Sequence, residues 1–166
     1  MSKKNRPRIK IKTDVYDVIF EVLGLLALIF MIIFPLVNYA ELPDQIPMHY
    51  NAAGEVDSYG AKAIVWAIPG IALILYAFLF WVSKKPHIFN YTVEITEENA
   101  ARHYRTAVRI MNILKSIMAW TFGYITFTTV RVGMGVQDGL GKYFLIIVLA
   151  LVFIPIGFMI FSSRKK

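Results

Sequence analysis

The chain has 166 residues, 57% of them hydrophobic and none of them cysteine, and a formal net charge of +7. Without cysteine, disulfides and thiolate metal sites are excluded. The basic excess does not read as a nucleic-acid footprint, because these residues flank apolar runs instead of clustering on a separable polar unit.

Four apolar stretches, residues 22–39, 63–83, 110–130 and 143–163, are separated by charge-bearing loops, and Lys115 is the only charged residue inside them. A helix needs about 18 to 20 apolar residues to cross ~30 Å of hydrocarbon. No two-residue alternation runs through the stretches, which excludes barrel strands. The expected fold is therefore an all-α membrane protein, a four-transmembrane-helix bundle whose long third helix extends into the cytoplasm. A basic N-terminal segment (1–16) precedes one membrane domain (17–163) and a basic tail (164–166) follows it. Spans are expected at about 17–40, 62–83, 108–130 and 143–163, with an outer loop at 41–61 and a cytoplasmic loop at 84–107. About half the chain then lies in lipid, which leaves no room for a soluble catalytic domain of ordinary size.

Lys3, Lys4, Arg6, Arg8, Lys10 and Lys12 precede the first stretch, Lys84, Lys85, Arg102 and Arg105 lie between the second and third, and Arg164, Lys165 and Lys166 follow the fourth. The other loops hold only Lys62, Arg131 and Lys142. The positive-inside rule thus places both termini in the cytoplasm of a bacterial-type inner membrane. The first stretch is too long for the core of a cleaved signal peptide and ends at the poor cleavage site Asn38–Ala40, so it reads as a retained anchor. Within residues 8–13, Ile9 and Ile11 alternate with Arg8, Lys10 and Lys12. Phe89, Tyr91, Val93 and Ile95 alternate with polar residues in the same rhythm. Two readings stand open for these segments: a small two-stranded cytoplasmic ribbon, or two unpaired juxtamembrane segments.

Residues 41–62, ELPDQIPMHYNAAGEVDSYGAK, hold the densest set of turn formers and polar groups. Pro43 and Pro47 stiffen the chain, Gly54 and Gly60 permit reversals, and Leu42, Ile46, Met48 and Tyr50 supply an apolar side that lays the loop on the bundle as a lid. His49, Asn51, Asp57 and Lys62 are its recognition candidates, with types suited to a hydrogen-bond network against the helix ends. A metal site is disfavoured, since the loop offers His49, Asp57, Glu41, Asp44 and Glu55 without a paired-histidine or cysteine pattern, and Asp57 or Ser58 more simply caps the second helix. No serine or cysteine nucleophile stands in a recognisable pattern.

The segment LPDQIPMHYNAAGEVDSYGAK, set between two apolar spans, resembles a bacterial family of unknown function that forms the N-terminal module of SdpI-type immunity proteins. That family's pattern of Pro, two residues, Ile-Pro, one residue, His, then Asn, Gly, Asp and Lys falls on Pro43, Ile46, Pro47, His49, Asn51, Gly54, Asp57 and Lys62. The resemblance covers about residues 25 to 70. It implies a membrane protein that protects a cell against a secreted membrane-active peptide and relays its presence to a cytoplasmic repressor.

Thr96 is a good N-cap, and Glu97 and Glu98 suit the positive end of a helix dipole. A third helix from Glu97 to Val130 would be roughly 50 Å long and project from the membrane, with Glu98, Arg102, Arg105 and Arg109 on one face. That basic face reads as solvated or bound to lipid headgroups before it reads as a docking face. The glycine-rich segment 131–142 reads as a flexible connection with little chemistry, and Pro35, Pro69 and Pro155 as packing features within spans. Glu21 and Lys115 lie at similar depth near the cytoplasmic edge, so they are expected to pair across helices, with snorkelling of Lys115 the competing arrangement.

The leading expectation is a non-enzymatic, multi-pass membrane protein that binds a ligand or partner through its first outer loop, in an immunity or envelope-sensing role. Its expected partners are the lipid bilayer, an extracytoplasmic peptide or protein and a cytoplasmic regulator. No nucleic acid, metal or cofactor is expected. A small transporter or lipid-handling subunit is the alternative from another class, and an intramembrane metal-dependent hydrolase a weaker one for want of a ligand set.

Overall fold

The computed structural model describes residues 6–164; Lys3, Lys4, Lys165 and Lys166, counted in the charge asymmetry, lie outside the described residues. Helix α1 (Val15–Asn38) opens with a reciprocal cap, in which the Asp14 carboxylate accepts from the Asp17 amide and the Asp17 carboxylate from the Asp14 amide, both at 3.1 Å. Two amides without intrahelical partners are thereby satisfied. Gly24, Ala27, Leu28, Met31 and Pro35 then recur at three- and four-residue intervals as the buried stripe of α1.

A 3₁₀ turn at Tyr39–Glu41 delivers the chain into an antiparallel hairpin of β1 (Gln45–Tyr50) and β2 (Val56–Ala61). A second 3₁₀ turn, Lys62–Trp66, leads into α2 (Ala67–Ser83), whose buried residues are Pro69, Ala72, Tyr76 and Ser83. After a short turn at Pro86–Ile88 and an irregular stretch comes α3 (Glu97–Gly133), and finally α4 (Phe144–Arg164). At 37 residues α3 is about 55 Å long, and Thr96 precedes it as expected, its amide donating to Asn99 Oδ1 at 3.0 Å. Helix α3 is the spine on which α1, α2 and α4 each pack. Small residues at the seam, Ala27 against Ala119 and Gly123 beside Met31, bring the backbones close.

The core sits at three levels along that spine. Ala27, Leu28, Met31, Ala72, Tyr76 and Ala119 fill the middle; Leu42, Ile46, Val65 and Val130 close the hairpin end. Ile95, Ala100 and Tyr104, covered by Ile11 and Tyr91, close the opposite end, where the chain begins. Two helical stretches are long and apolar enough to cross a membrane, Val15–Glu41 and Lys62–Ser83, and Phe144–Phe158 is a shorter apolar helix. Only 28% and 22% of the two apolar windows are buried within the fold, whereas the core helix of a soluble protein is mostly buried. Val22, Ile29, Ile33, Ile74 and Phe78 face outward, an exterior that is costly in water and matched to lipid.

The structure departs from the sequence expectations in several places. Residues 8–13 and 89–96 form no strands; the two-stranded sheet is built instead from the 41–61 loop. The polar groups of the first two segments are used differently. Arg6 donates to the carbonyls of His87 at 3.2 Å and Phe89 at 2.6 Å, Tyr104 Oη donates to the Pro7 carbonyl at 3.1 Å, and Ile11 inserts against Tyr104. Ile11, Tyr91 and Ile95 join the cluster with Tyr104 of α3, whereas Ile9 and Val93 stay exposed, so the alternation marks partial docking rather than a ladder. Asp57 and Ser58 lie in β2 and cap nothing, because the chain passes through Lys62–Trp66 before α2 begins. Met48 is 52% exposed, out of step with buried Ile46, because the strand pairing is irregular between Pro47 and Tyr50 and turns Met48 away from the bundle.

The segment 131–142 is likewise no loose connection. The Leu140 amide donates to the Gly54 carbonyl at 2.7 Å, and Glu55 and Gly139 form a β-bridge. A Cβ on Gly139 would stand 2.3 Å from the Gly54 oxygen, and one on Gly54, at φ +80°, 2.6 Å from the Gly141 oxygen. The glycines therefore permit backbone to meet backbone.

Candidate functional site

The hairpin gathers most of the polar residues singled out in the sequence. His49 Nδ1 and Asp57 Oδ1 lie 2.7 Å apart across the strands, and both side chains are exposed. Asn51 shapes the turn: its Oδ1 accepts from the amides of Ala53 (2.9 Å) and Glu55 (3.1 Å), and its Nδ2 donates to Glu55 Oε2 at 3.0 Å. This is the local side-chain substitute for a backbone turn that asparagine readily makes. Gly54 follows in the left-handed region and carries the chain back.

Among the described residues the side-chain hydrogen bonds of His49, Asn51 and Asp57 stay within the hairpin and none reaches a helix end, so the expected network is internal to it. Docking on the bundle falls to other groups. Ile46 is fully buried against Gly133 and the Leu42 cluster, and Tyr50 Oη meets Thr129 Oγ1 on α3 at 3.2 Å. Burial pushes the Tyr50 phenol up from its ordinary pKa, the Thr129 hydrogen bond opposing. Pro47, buried, pairs with Tyr59, while Pro43 is exposed at the hairpin's base. Lys62 does not join His49 and Asp57: its amide donates to the Asp44 carbonyl at 2.9 Å and its ammonium lies 5.2 Å from the centre of the Tyr39 ring. The hairpin thus presents His49 and Asp57, flanked by exposed Met48 and Tyr59, on a base fixed by Ile46, Tyr50 and the Gly54–Leu140 contact. Among the described residues, no group of three or more His, Asp or Glu side chains gathers as a metal site.

The opposite end holds a second polar cluster. Lys115 is fully buried with its Nζ 2.6 Å from Glu21 Oε2, and Tyr76 Oη donates to Glu21 Oε1 at 3.1 Å. The expected pairing is present, and Lys115 does not snorkel. Its ammonium also sits between the rings of Tyr76 (4.8 Å) and Phe80 (4.9 Å). One turn earlier, buried Asp17 receives Asn112 Nδ2 at 3.3 Å. The basic face of Arg102, Arg105 and Arg109 is in part an inter-helix contact: Arg109 and Arg105 both pair with Asp14, the latter at 3.5 Å, and Arg109 covers the Tyr16 ring. The Asp17 amide, and then Arg109, hold the Asp14 carboxyl below its ordinary pKa against the opposing effect of burial. Asp14, Asp17 and Tyr76 were not singled out in the sequence. A carboxylate three residues before another at the head of an apolar run was the available signal for the first two.

Comparison with known proteins bears on the hairpin. Residues 26–73 match a domain of unknown function (DUF1648), the stretch from α1 through the hairpin into α2. An uncharacterized protein of Archaeoglobus fulgidus is 31% identical over 62 residues, which is 37% of this chain and 34% of that protein. The matched segment spans about a third of the length of that curated relative. No solved structure matches.

Proposed function

We propose that the protein is a multi-pass bacterial inner-membrane protein without catalytic activity, which binds an extracytoplasmic peptide or protein through the hairpin in an SdpI-like immunity or envelope-sensing role. In this reading α1, α2, α4 and residues 108–130 of α3 cross the bilayer, both termini are cytoplasmic, and the first turns of α3 meet a cytoplasmic regulator. The charge asymmetry and the apolar exteriors of α1, α2 and α4 support that placement.

The observation that carries the reading is the exposed face of the hairpin. Tyr59 is 59% and Met48 52% exposed beside the His49–Asp57 pair, on a segment whose backbone is fixed by the bundle. An aromatic and a flexible thioether beside a polar pair, held rigid, combine the anchor types that recognition surfaces favour at low ordering cost. Expression in a bacterium sensitive to a secreted membrane-active peptide tests it. Wild-type protein should raise the lethal dose, and His49→Ala/Tyr59→Ala should abolish the effect at unchanged membrane abundance. Equal protection by the variant removes the hairpin face from the function. The second reading, a small transporter or lipid-handling subunit, is favoured by the buried Asp17, Asn112 and Lys115 with the half-buried Glu21, since ionisable groups inside a bundle commonly mark a pathway.

A further inference from the structure

Beneath the N-terminal segment lies a cavity of about 410 Å³, bounded by α1, the end of α2, α3 and residues 9–13. It is amphipathic. Val18, Val22 and Phe80 line it and are themselves 51%, 48% and 40% exposed, so its apolar wall is continuous with the outward, lipid-matched surface of the helices. Lys10, Lys12 and Lys84 line its polar mouth, all exposed.

Its charge balance favours an anion. Of the two carboxylates that face the cavity, Glu21 is neutralised by Lys115 Nζ, and Asp17, held by the Asp14 amide and Asn112 Nδ2, keeps one negative charge against the three lysines of the mouth, an excess of two positive charges. Lys10, Lys12 and Lys84 form no ion pair with a carboxylate among the described residues; Lys84 rests 4.5 Å from the centre of the Phe80 ring, at the junction of the polar and apolar walls. Three ammonium groups without an ion-pair partner, in excess of the one unneutralised carboxylate of the cavity, at the mouth of an apolar cleft continuous with the lipid-matched helix surface, match one ligand chemistry: a phosphate headgroup with acyl chains attached.

We propose that this cavity is a binding site for an anionic phospholipid of the inner leaflet, with Lys10, Lys12 and Lys84 on the phosphate and Val18, Val22 and Phe80 along the acyl chain. The site rests on the membrane placement proposed above and is independent of the hairpin. Bound there, the lipid would tie the N-terminal segment to α1 and α2.

Thermal unfolding of the full chain in neutral detergent, titrated separately with dioctanoyl phosphatidylglycerol, dioctanoyl phosphatidylcholine and inorganic phosphate, tests the proposal. Phosphatidylglycerol should raise the midpoint saturably, and the other two should leave it unchanged. Each lysine near a membrane surface contributes about fivefold in affinity, so Lys10→Gln/Lys12→Gln/Lys84→Gln should weaken phosphatidylglycerol roughly a hundredfold. Lys142→Gln, at the hairpin end, should not weaken it. An equal response to phosphatidylcholine, an equal response to inorganic phosphate, or full affinity in the triple variant overturns the proposal. Because the assay runs on purified protein in micelles, its failure is separable from failure of the proposed role of the hairpin, which is read in cells.

Discussion

Neutralising Glu21 should destabilise the protein more than neutralising Lys115, although the two form one ion pair. In Glu21→Gln the Lys115 ammonium stays fully buried, 4.8 Å from the Tyr76 ring centre and 4.9 Å from that of Phe80, with no carboxylate to answer its charge. Removing one partner of a buried pair costs about 3 to 5 kcal/mol, and the two ring faces, already in contact with the ammonium in the intact pair, return none of it. In Lys115→Met the stranded group is Glu21, whose side chain is 26% exposed toward the cavity and keeps the Tyr76 hydroxyl at 3.1 Å, so a loss of about 1 to 3 kcal/mol is expected. The double variant carries neither charge, and its loss should fall short of the sum by about 2 kcal/mol. Chemical unfolding in micelles at neutral pH, followed by helix content, measures all four corners of the cycle. Strict additivity, or a larger loss in Lys115→Met, refutes the reasoning.

Other perturbations have defined outcomes. Gly139→Ala forces a Cβ onto the Gly54 oxygen and should release the 131–142 segment, seen as faster hydrogen exchange at the Leu140 amide; unchanged exchange there contradicts the docking. Tyr50→Phe removes the contact with Thr129 and should cost about 0.5 to 1.5 kcal/mol without altering helix content. Gly24→Ala places a Cβ 2.5 Å from Tyr76 Oη and should cost about 1 to 3 kcal/mol by displacing that ring from Glu21. The Asp14 carboxyl is held low in the folded state, so its charge stabilises the fold above the ordinary carboxylate pKa and the contribution is lost as pH falls through the lowered one. Wild type should therefore outlast Asp14→Asn at neutral pH, with the difference starting to shrink only below about pH 4 and vanishing below the lowered pKa; a difference that grows on acidification contradicts the assignment.

The helices were legible because long runs of uncharged apolar residues must satisfy their own backbone, and the Thr96 cap with its two glutamates marks the start of α3. The Glu21–Lys115 pair was legible because a charge within an otherwise apolar helix needs a partner. The ribbon was not. Alternation in residues 8–13 and 89–96 carries no information about what covers the apolar side, and Arg6 and Tyr104 take the carbonyls by long-range bonds that local pattern does not encode. In the candidate site the residue types were visible, but their engagement was not: His49 and Asp57 meet because two strands pair, whereas Tyr50 and Thr129 meet across 79 residues of chain. The backbone contact of Gly54 with Leu140 left no trace beyond an excess of glycine.

The proposed topology turns the hairpin outward and the beginning of α3 toward the cytoplasm. Since the chain has no cysteine, single substitutions report without background. Ala53→Cys at the exposed turn of the hairpin should react with a membrane-impermeant maleimide in intact cells, and Thr92→Cys, exposed before α3, only after permeabilisation. Protection of position 53 together with labelling of position 92 in intact cells would invert the molecule and remove the basis for an extracytoplasmic partner.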